Sequence, residues 1–246
     1  MTQTTAAAAC NVVELRQYTL RPGQRDVLID LFEREFVESQ EALGMTLFGQ
    51  FRDLDNADRF VWLRGFADMP ARAAALAAFY DGPVWQAHRN AANATMLDSD
   101  DVLLLQPART GCGFRAGARA TPTQLRQPPL VIATLWYFNV PIDDDTAAFF
   151  DQALIPRLTG ADARWLATLV TEPAANTFPR LPVREGEHVL ACFTAFDSLD
   201  AYLRHVEALG APWQAAVGER RHRIIRSETL RLAPTARSRL PLPRQG

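Results

Sequence analysis

Apolar and polar positions alternate along residues 12–20 (VVELRQYTL), a pattern with the two-residue period of a strand. Pro22-Gly23 breaks it, and Leu28, Leu31, Phe32 and Phe36 then recur with helical spacing. Residues 45–52 (MTLFGQFR) and 59–66 (RFVWLRGF) alternate again, and the polar run DLDNAD between them predicts a hairpin. Asp68 with Pro70 marks a helix start at ARAAALAAFY. Gly82-Pro83 ends that helix, a second covers roughly 84–96, and DVLLLQP closes the series as a strand. The order is β-α-β-β-α-β, the ferredoxin-like plan.

The same order follows from residue 130. LVIATLWYF predicts a strand, Pro141 and three aspartates lead into the helix TAAFFDQALIPRL, and ARWLATLV and HVLACFTAF predict two more strands. Asp197 is placed to cap the next helix, and ETLRLAP closes. Tyr18 and Pro22 match Tyr137 and Pro141 at an offset of 119, while Gly82, Pro83 and Trp85 answer to Gly210, Pro212 and Trp213, and Pro107 to Pro234. The expected fold is α+β, with two tandem ferredoxin-like repeats closing as an intramolecular dimeric α+β barrel. The expected boundaries are a lead-in at 1–11, repeat one at 12–107, a linker at 108–129, repeat two at 130–234 and a tail at 235–246. A single ferredoxin-like sheet carries helices on one face, so two sheets in one chain can cover each other and enclose a cavity.

Strand alternation divides the side chains between faces. Val13, Leu15, Val61 and Leu63 suit packing against helices. That choice sends Glu14, Arg16, Tyr18, Gln50, Trp62 and Arg64 into the barrel, where a carboxylate among arginines needs pairing. Phe48, Gln50 and Arg52 are expected on one face, opposite Leu47 and Phe51. The offset pairs Glu14 and Arg16 with Ala133 and Leu135, and His88 with Ala216, so the chemistry is assigned to the first repeat and the second is its lid. His88, three residues after Trp85, is the histidine suited to proton transfer at neutral pH. His205 and His222 read as surface residues, and His188 starts a strand.

Composition narrows the function classes. The chain has 246 residues, 48% hydrophobic and 22% charged, with a net charge of -2, a balance that argues against a nucleic-acid binder. The one basic run, Arg220, Arg221, Arg223 and Arg226, reads as a solvated helix end. All 26 basic residues are arginine. The absence of lysine excludes Schiff-base catalysis, lysine-anchored pyridoxal phosphate and the standard phosphate-binding loop. Three scattered cysteines, no apolar run of membrane-spanning length and an N-terminus without signal-peptide character point to a reduced, cytoplasmic protein. No nucleophile elbow, zinc motif or dinucleotide fingerprint occurs, and GCGFRAG at 111–117 lies in the linker.

The segments ELRQYTLRPG (14–23), GMTLFGQFRDLDNADRFVWLRGF (44–66) and FYDGPVWQAHRNAANATMLDSDDVLLLQP (79–107) resemble the NIPSNAP family, at lower similarity also over 130–234. The resemblance implies a dimeric α+β barrel, a superfamily that includes monooxygenases needing no bound cofactor, isomerases, cyclases and haem enzymes. Arg16, Tyr18, Trp62, Arg64, Trp85, His88, Arg89 and Asn93 fall in the matching motifs. The resulting expectation is a small-molecule enzyme without cofactor or metal. In it His88, Glu14 and Arg64 carry catalysis, and Arg16, Tyr18, Gln50, Trp62, Arg89 and Asn93 bind substrate. Neither nucleic acid nor membrane is expected as a partner, and the fused pair is free to dimerise further. The rival is a non-catalytic binding or interaction scaffold; a cavity of several hundred cubic ångströms favours the enzyme and a filled barrel favours the scaffold.

Overall fold

The computed structural model describes residues 10–115, 129–160, 163–218 and 223–240. The first half runs β1 (Val12–Leu20), α1 (Arg25–Leu31), a π-helical turn (Phe32–Phe36), α2 (Val37–Glu41), β2 (Thr46–Asp53), β3 (Arg59–Phe66), α3 (Met69–Tyr80), α4 (Pro83–Thr95) and β4 (Met96–Pro107). The second runs β5 (Leu130–Phe138), α5 (Asp144–Phe149), a π-helical turn (Phe150–Leu154), α6 (Ile155–Leu158), β6 (Arg164–Thr171), β7 (His188–Phe196), α7 (Leu199–Gly218) and β8 (Ile224–Pro234). The eight strands close into one barrel in the order β1-β3-β2-β8-β5-β7-β6-β4. Each half contributes four neighbouring strands, and short ladders close the two seams: Phe51–Asp53 with Leu232–Pro234, and Leu105–Pro107 with Leu169–Thr171.

Local chemistry starts the helices where the sequence indicates. The Asp68 carboxylate accepts the Ala71 N–H at 2.7 Å, and Asp143 accepts that of Thr146 at 2.8 Å. At α7 it is Ser198 whose hydroxyl accepts the first-turn N–H of Ala201, so the capping group stands one residue beyond the expected Asp197. Asp68→Ala is expected to cost about 1 kcal/mol of stability in urea unfolding, with the fold otherwise unchanged.

The interior of the barrel is a packed apolar core, which corrects the expected assignment of faces. Val13, Leu15, Val61 and Leu63 point into it, together with Leu135, Leu169 and Phe193 from the second half. Glu14, Arg16, Tyr18, Trp62 and Arg64 instead face the helices of the first half. The physical reason is enclosure. The barrel interior is walled by backbone on all sides and takes the more apolar face of β1 and β3. The polar face then lies beneath the helices, where three arginines gather around the one carboxylate of Glu14.

Two details of register follow. In β2 a bulge falls between Leu47, opposite Arg64, and Gly49, opposite Leu63. Phe48 therefore points inward with Phe51, while Leu47 and Gln50 share the helix-facing side. A Cβ on Gly49 would stand 2.2 Å from the Phe51 ring, so the extra residue fits there as glycine. In the second half Ala133, Leu135 and Tyr137 lie inside the barrel, whereas Glu14, Arg16 and Tyr18 lie outside it. The offset of 119 therefore pairs opposite faces in this strand, and the counterparts are Ile132, Thr134 and Trp136.

The connecting segments are more structured than expected. Beyond Pro107, Ala108 and Cys112 exchange backbone hydrogen bonds with Thr168, and Phe114 packs on Phe48 and Phe193 at one end of the barrel. Residues 235–240 are not a loose tail. Leu240 donates to the Phe48 carbonyl and joins the barrel core, and Arg237 bonds Glu33 and Glu38. Arg226, expected at a helix end, belongs to β8 and lies over the Tyr137 ring. Residues 1–9, the linker segment 116–128, Arg220, Arg221, His222 and the tail beyond 240 lie outside the described residues.

Candidate functional site

β1, β3 and α3 bring four charged side chains together beneath the helices. Glu14 Oε2 accepts from Arg16 Nη1 at 2.8 Å and from Arg64 Nε at 2.7 Å, and Glu14 Oε1 accepts from Arg72 Nε at 2.6 Å. All four residues are fully buried. Three guanidiniums against one carboxylate leave two positive charges in the interior. Burial works against the ionised Glu14, but Arg64, Arg16 and Arg72 outweigh it and hold the carboxyl well below its ordinary range. Both carboxylate oxygens are occupied. Glu14 is therefore a counter-ion, and the expected role as proton carrier does not fit its surroundings.

Arg16 extends the network along its own strand. Its Nε donates to the Tyr18 hydroxyl at 3.0 Å, and its guanidinium lies 5.5 Å from the Trp62 ring. Burial opposes the charge on Arg16, and Tyr18 and Glu14 more than offset it, raising its pKa. Arg64 lies 5.0 Å from the same ring and donates to Gln40 Oε1 at 2.9 Å. Burial pushes the Tyr18 phenol up despite Arg16, so Tyr18 is protonated at neutral pH. Since Arg16 fills its acceptor position, the Tyr18 proton is directed elsewhere.

Beside these residues lies a chamber of about 30 Å³, room for one water molecule. Tyr18, Trp62 and Gln40 form its polar side. Phe36, Phe79 and Trp85 close it with Tyr80. Trp62 Nε1 is buried and has no hydrogen-bond partner, and the Tyr18 hydroxyl has no acceptor among the described residues. Arg64 Nη2 and Arg72 Nη2 are also buried without partners. Two residues with unaccepted neutral donors, Tyr18 and Trp62, thus line the chamber within an aromatic wall, beside a cluster of net positive charge. Its roof is shallowly held: within α4 only Ala92 and Thr95 are buried.

The remaining expected residues stand apart. Gln50 is buried opposite Trp62 on the helix-facing side, but does not line the chamber. His88 is half-exposed on α4, 3.5 Å from Glu35, with its ring edge toward Phe36. Arg89 and Asn93 are exposed on the outer side of α4. Sequence reasoning missed Arg72, whose spacing to Leu76 and Phe79 places it on the buried stripe of α3. It also missed the loop from β6 to β7. Arg72 Nη1 donates to Asn176 Oδ1 at 3.0 Å and to Thr177 Oγ1 at 3.3 Å, and Phe178 stacks on Tyr80 at 5.9 Å. The second half therefore covers the charged cluster of the first.

Among the described residues no group of side chains is arranged to hold a metal ion, and no helix is long and apolar enough to cross a membrane. Cys10, Cys112 and Cys192 form no disulfide. Residues 13–110 match the model of the NIPSNAP family. No curated protein matches the chain. Among solved structures, a Fusobacterium nucleatum protein provisionally named a monooxygenase is similar at 10% identity, with a TM-score of 0.58 over 92% of this chain and 93% of that one. An anthrone oxidase-like protein is similar at 14% identity, with a TM-score of 0.58 over 94% and 93%. A provisionally named monooxygenase of Lactobacillus acidophilus is similar at 13% identity, with a TM-score of 0.54 over 92% and 94%. At these identities the likeness is one of fold.

Proposed function

We propose that the first half of the chain, whose residues 13–110 match the NIPSNAP family model, is a small-molecule enzyme acting on an aromatic compound held as an oxyanion. The carrying observation is that Tyr18 and Trp62, whose O–H and Nε1–H are buried and without an acceptor among the described residues, line one chamber beside a cluster with two surplus positive charges. Donors already aimed at developing negative charge in a dry site stabilise it without reorganisation. Arg16 orients Tyr18, Glu14 fixes Arg16, Arg64 and Arg72, and Gln40 fixes Arg64. With Glu14 fully engaged, the substrate is one acidic enough to give its proton to solvent water on binding.

An enolate or phenolate held in this way has two outlets. It can be reprotonated or cyclised, as in an isomerase, or it can deliver an electron to dioxygen, as in a cofactor-independent oxygenase. The names borne by the structural relatives support the second. Admission of an aromatic ring requires α4 to lift, and its shallow burial supports such local opening. We read residues 12–107 and 130–234 as two ferredoxin-like copies, the second supplying the loop that roofs Arg72. A non-catalytic scaffold is the second reading, favoured by the filled barrel.

The test is turnover of a panel of phenols and anthrones in air and under nitrogen, with products weighed by mass spectrometry. Products gaining oxygen only in air support the oxygenase, isomeric products in both atmospheres the isomerase, and no product from any compound the scaffold. Tyr18→Phe is expected to lower the rate about 10²-fold, the loss typical of one donor to an oxyanion. An unchanged rate in that variant removes the reading.

A further inference from the structure

The second half holds a larger cavity in the position that the first half fills with aromatic and charged side chains. It measures about 430 Å³ and lies between the sheet and α7. Its floor is the helix-facing side of three adjacent strands. Thr134 of β5 stands opposite Thr229 of β8, and Ile132 of β5 opposite Thr194 of β7. These small side chains occupy the face that carries Arg16, Trp62 and Arg64 in the first half, which is why space remains. Leu158, Val206 and Leu209 contribute apolar walls.

Two features define what would fit. Thr194 is only 4% exposed and lines the cavity, yet its hydroxyl takes no hydrogen bond from the described residues, and neither do those of Thr134 and Thr229. Three hydroxyls on neighbouring strands can each donate and accept. In addition, no aspartate, glutamate or arginine is among the described lining residues; Tyr202 and His205 are its titratable groups, with His205 tilted against Phe196 at 5.3 Å. A cavity of this size with apolar walls and a few convergent polar groups has the character of a ligand site. The nearest charge on the same face, Arg231 opposite Ile132, is already engaged by Asp55, so an ion would meet mainly apolar walls there, at high cost.

We propose that this cavity is a second binding site, taking an uncharged, ring-sized apolar molecule that carries a hydroxyl or carbonyl group to meet the threonine floor. The proposal stands apart from the reading of the first half, which calls for an anion on a different face of the barrel. It is tested by calorimetric titration of the full chain with 2-naphthol, neutral at neutral pH, and with 2-naphthoate, similar in size but charged. Two variants accompany the wild type: Thr194→Phe fills the floor, and Val206→Trp blocks the rim at a position 44% exposed, where folding tolerates change. The expected result is saturable 2-naphthol binding, at least tenfold weaker for 2-naphthoate and at least tenfold weaker in Val206→Trp and in Thr194→Phe if it folds. No saturable binding of 2-naphthol, equal binding of the two probes, or unchanged affinity in folded Val206→Trp each overturns it. None of these outcomes bears on turnover by the first half.

Discussion

Glu14→Gln is expected to lower the unfolding free energy by about 3–5 kcal/mol, the cost of leaving buried charge without its partner. The wild-type cluster already carries two surplus positive charges, and the substitution leaves three guanidiniums facing one another with no anion between them. In a chain of 246 residues this corresponds to a fall of roughly 10 °C in Tm. The pH dependence has a definite sign. Burial opposes the Glu14 charge and the three arginines override it, so its folded pKa lies far below the ordinary 4.5. Between those two values the unfolded chain binds the proton and the folded chain does not, so stability rises with pH. The contribution is complete at neutral pH and is lost as pH falls below the ordinary carboxyl range. Wild type should therefore lose more stability than Glu14→Gln between neutral and acid pH. Equal acid slopes in urea titrations would show that Glu14 is not the ionised centre.

Phe193→Ala is expected to cost about 3–5 kcal/mol as well, for a different reason. Phe193 is fully buried within the barrel and packs edge-on to Phe114, at 4.9 Å between ring centres. In a filled core its removal leaves a cavity. Were the interior a solvated ligand chamber, the same truncation would enlarge that chamber and cost little. Chemical denaturation of the variant therefore distinguishes a core from a pocket, and a loss below about 1 kcal/mol would contradict the packed interior.

Much of the element order is legible in the sequence because it depends on local signals. The strands at 12–20, 59–66, 130–138 and 188–196 have the residue bounds that alternation indicates. Alternation separates two faces of a strand but does not say which is enclosed. That depends on closure of the barrel through β2–β8 and β4–β6, pairings between residues more than a hundred positions apart in the first case. The bulge at Leu47–Gly49 is similarly invisible to a strict two-residue count, and Gly49 was its one signal. Arg72 was legible in principle, as an arginine on the same stripe as Leu76 and Phe79. The approach of Asn176, Thr177 and Phe178 to it was not, since a long loop carries no periodicity to say where it folds back.

Under the proposed function Tyr18 and Trp62, backed by the arginine cluster, recognise negative charge on a bound aromatic oxygen. The most direct measurement is a visible-absorbance titration with 4-nitrophenol, at a pH below its own ionisation, against wild type, Tyr18→Phe and Trp62→Phe. The account predicts that the phenolate band grows as wild-type protein is added, because the site binds the anion in preference to the neutral phenol, and that it is strongly reduced in both variants. Binding without the phenolate band, or a band equally strong in the two variants, would contradict it.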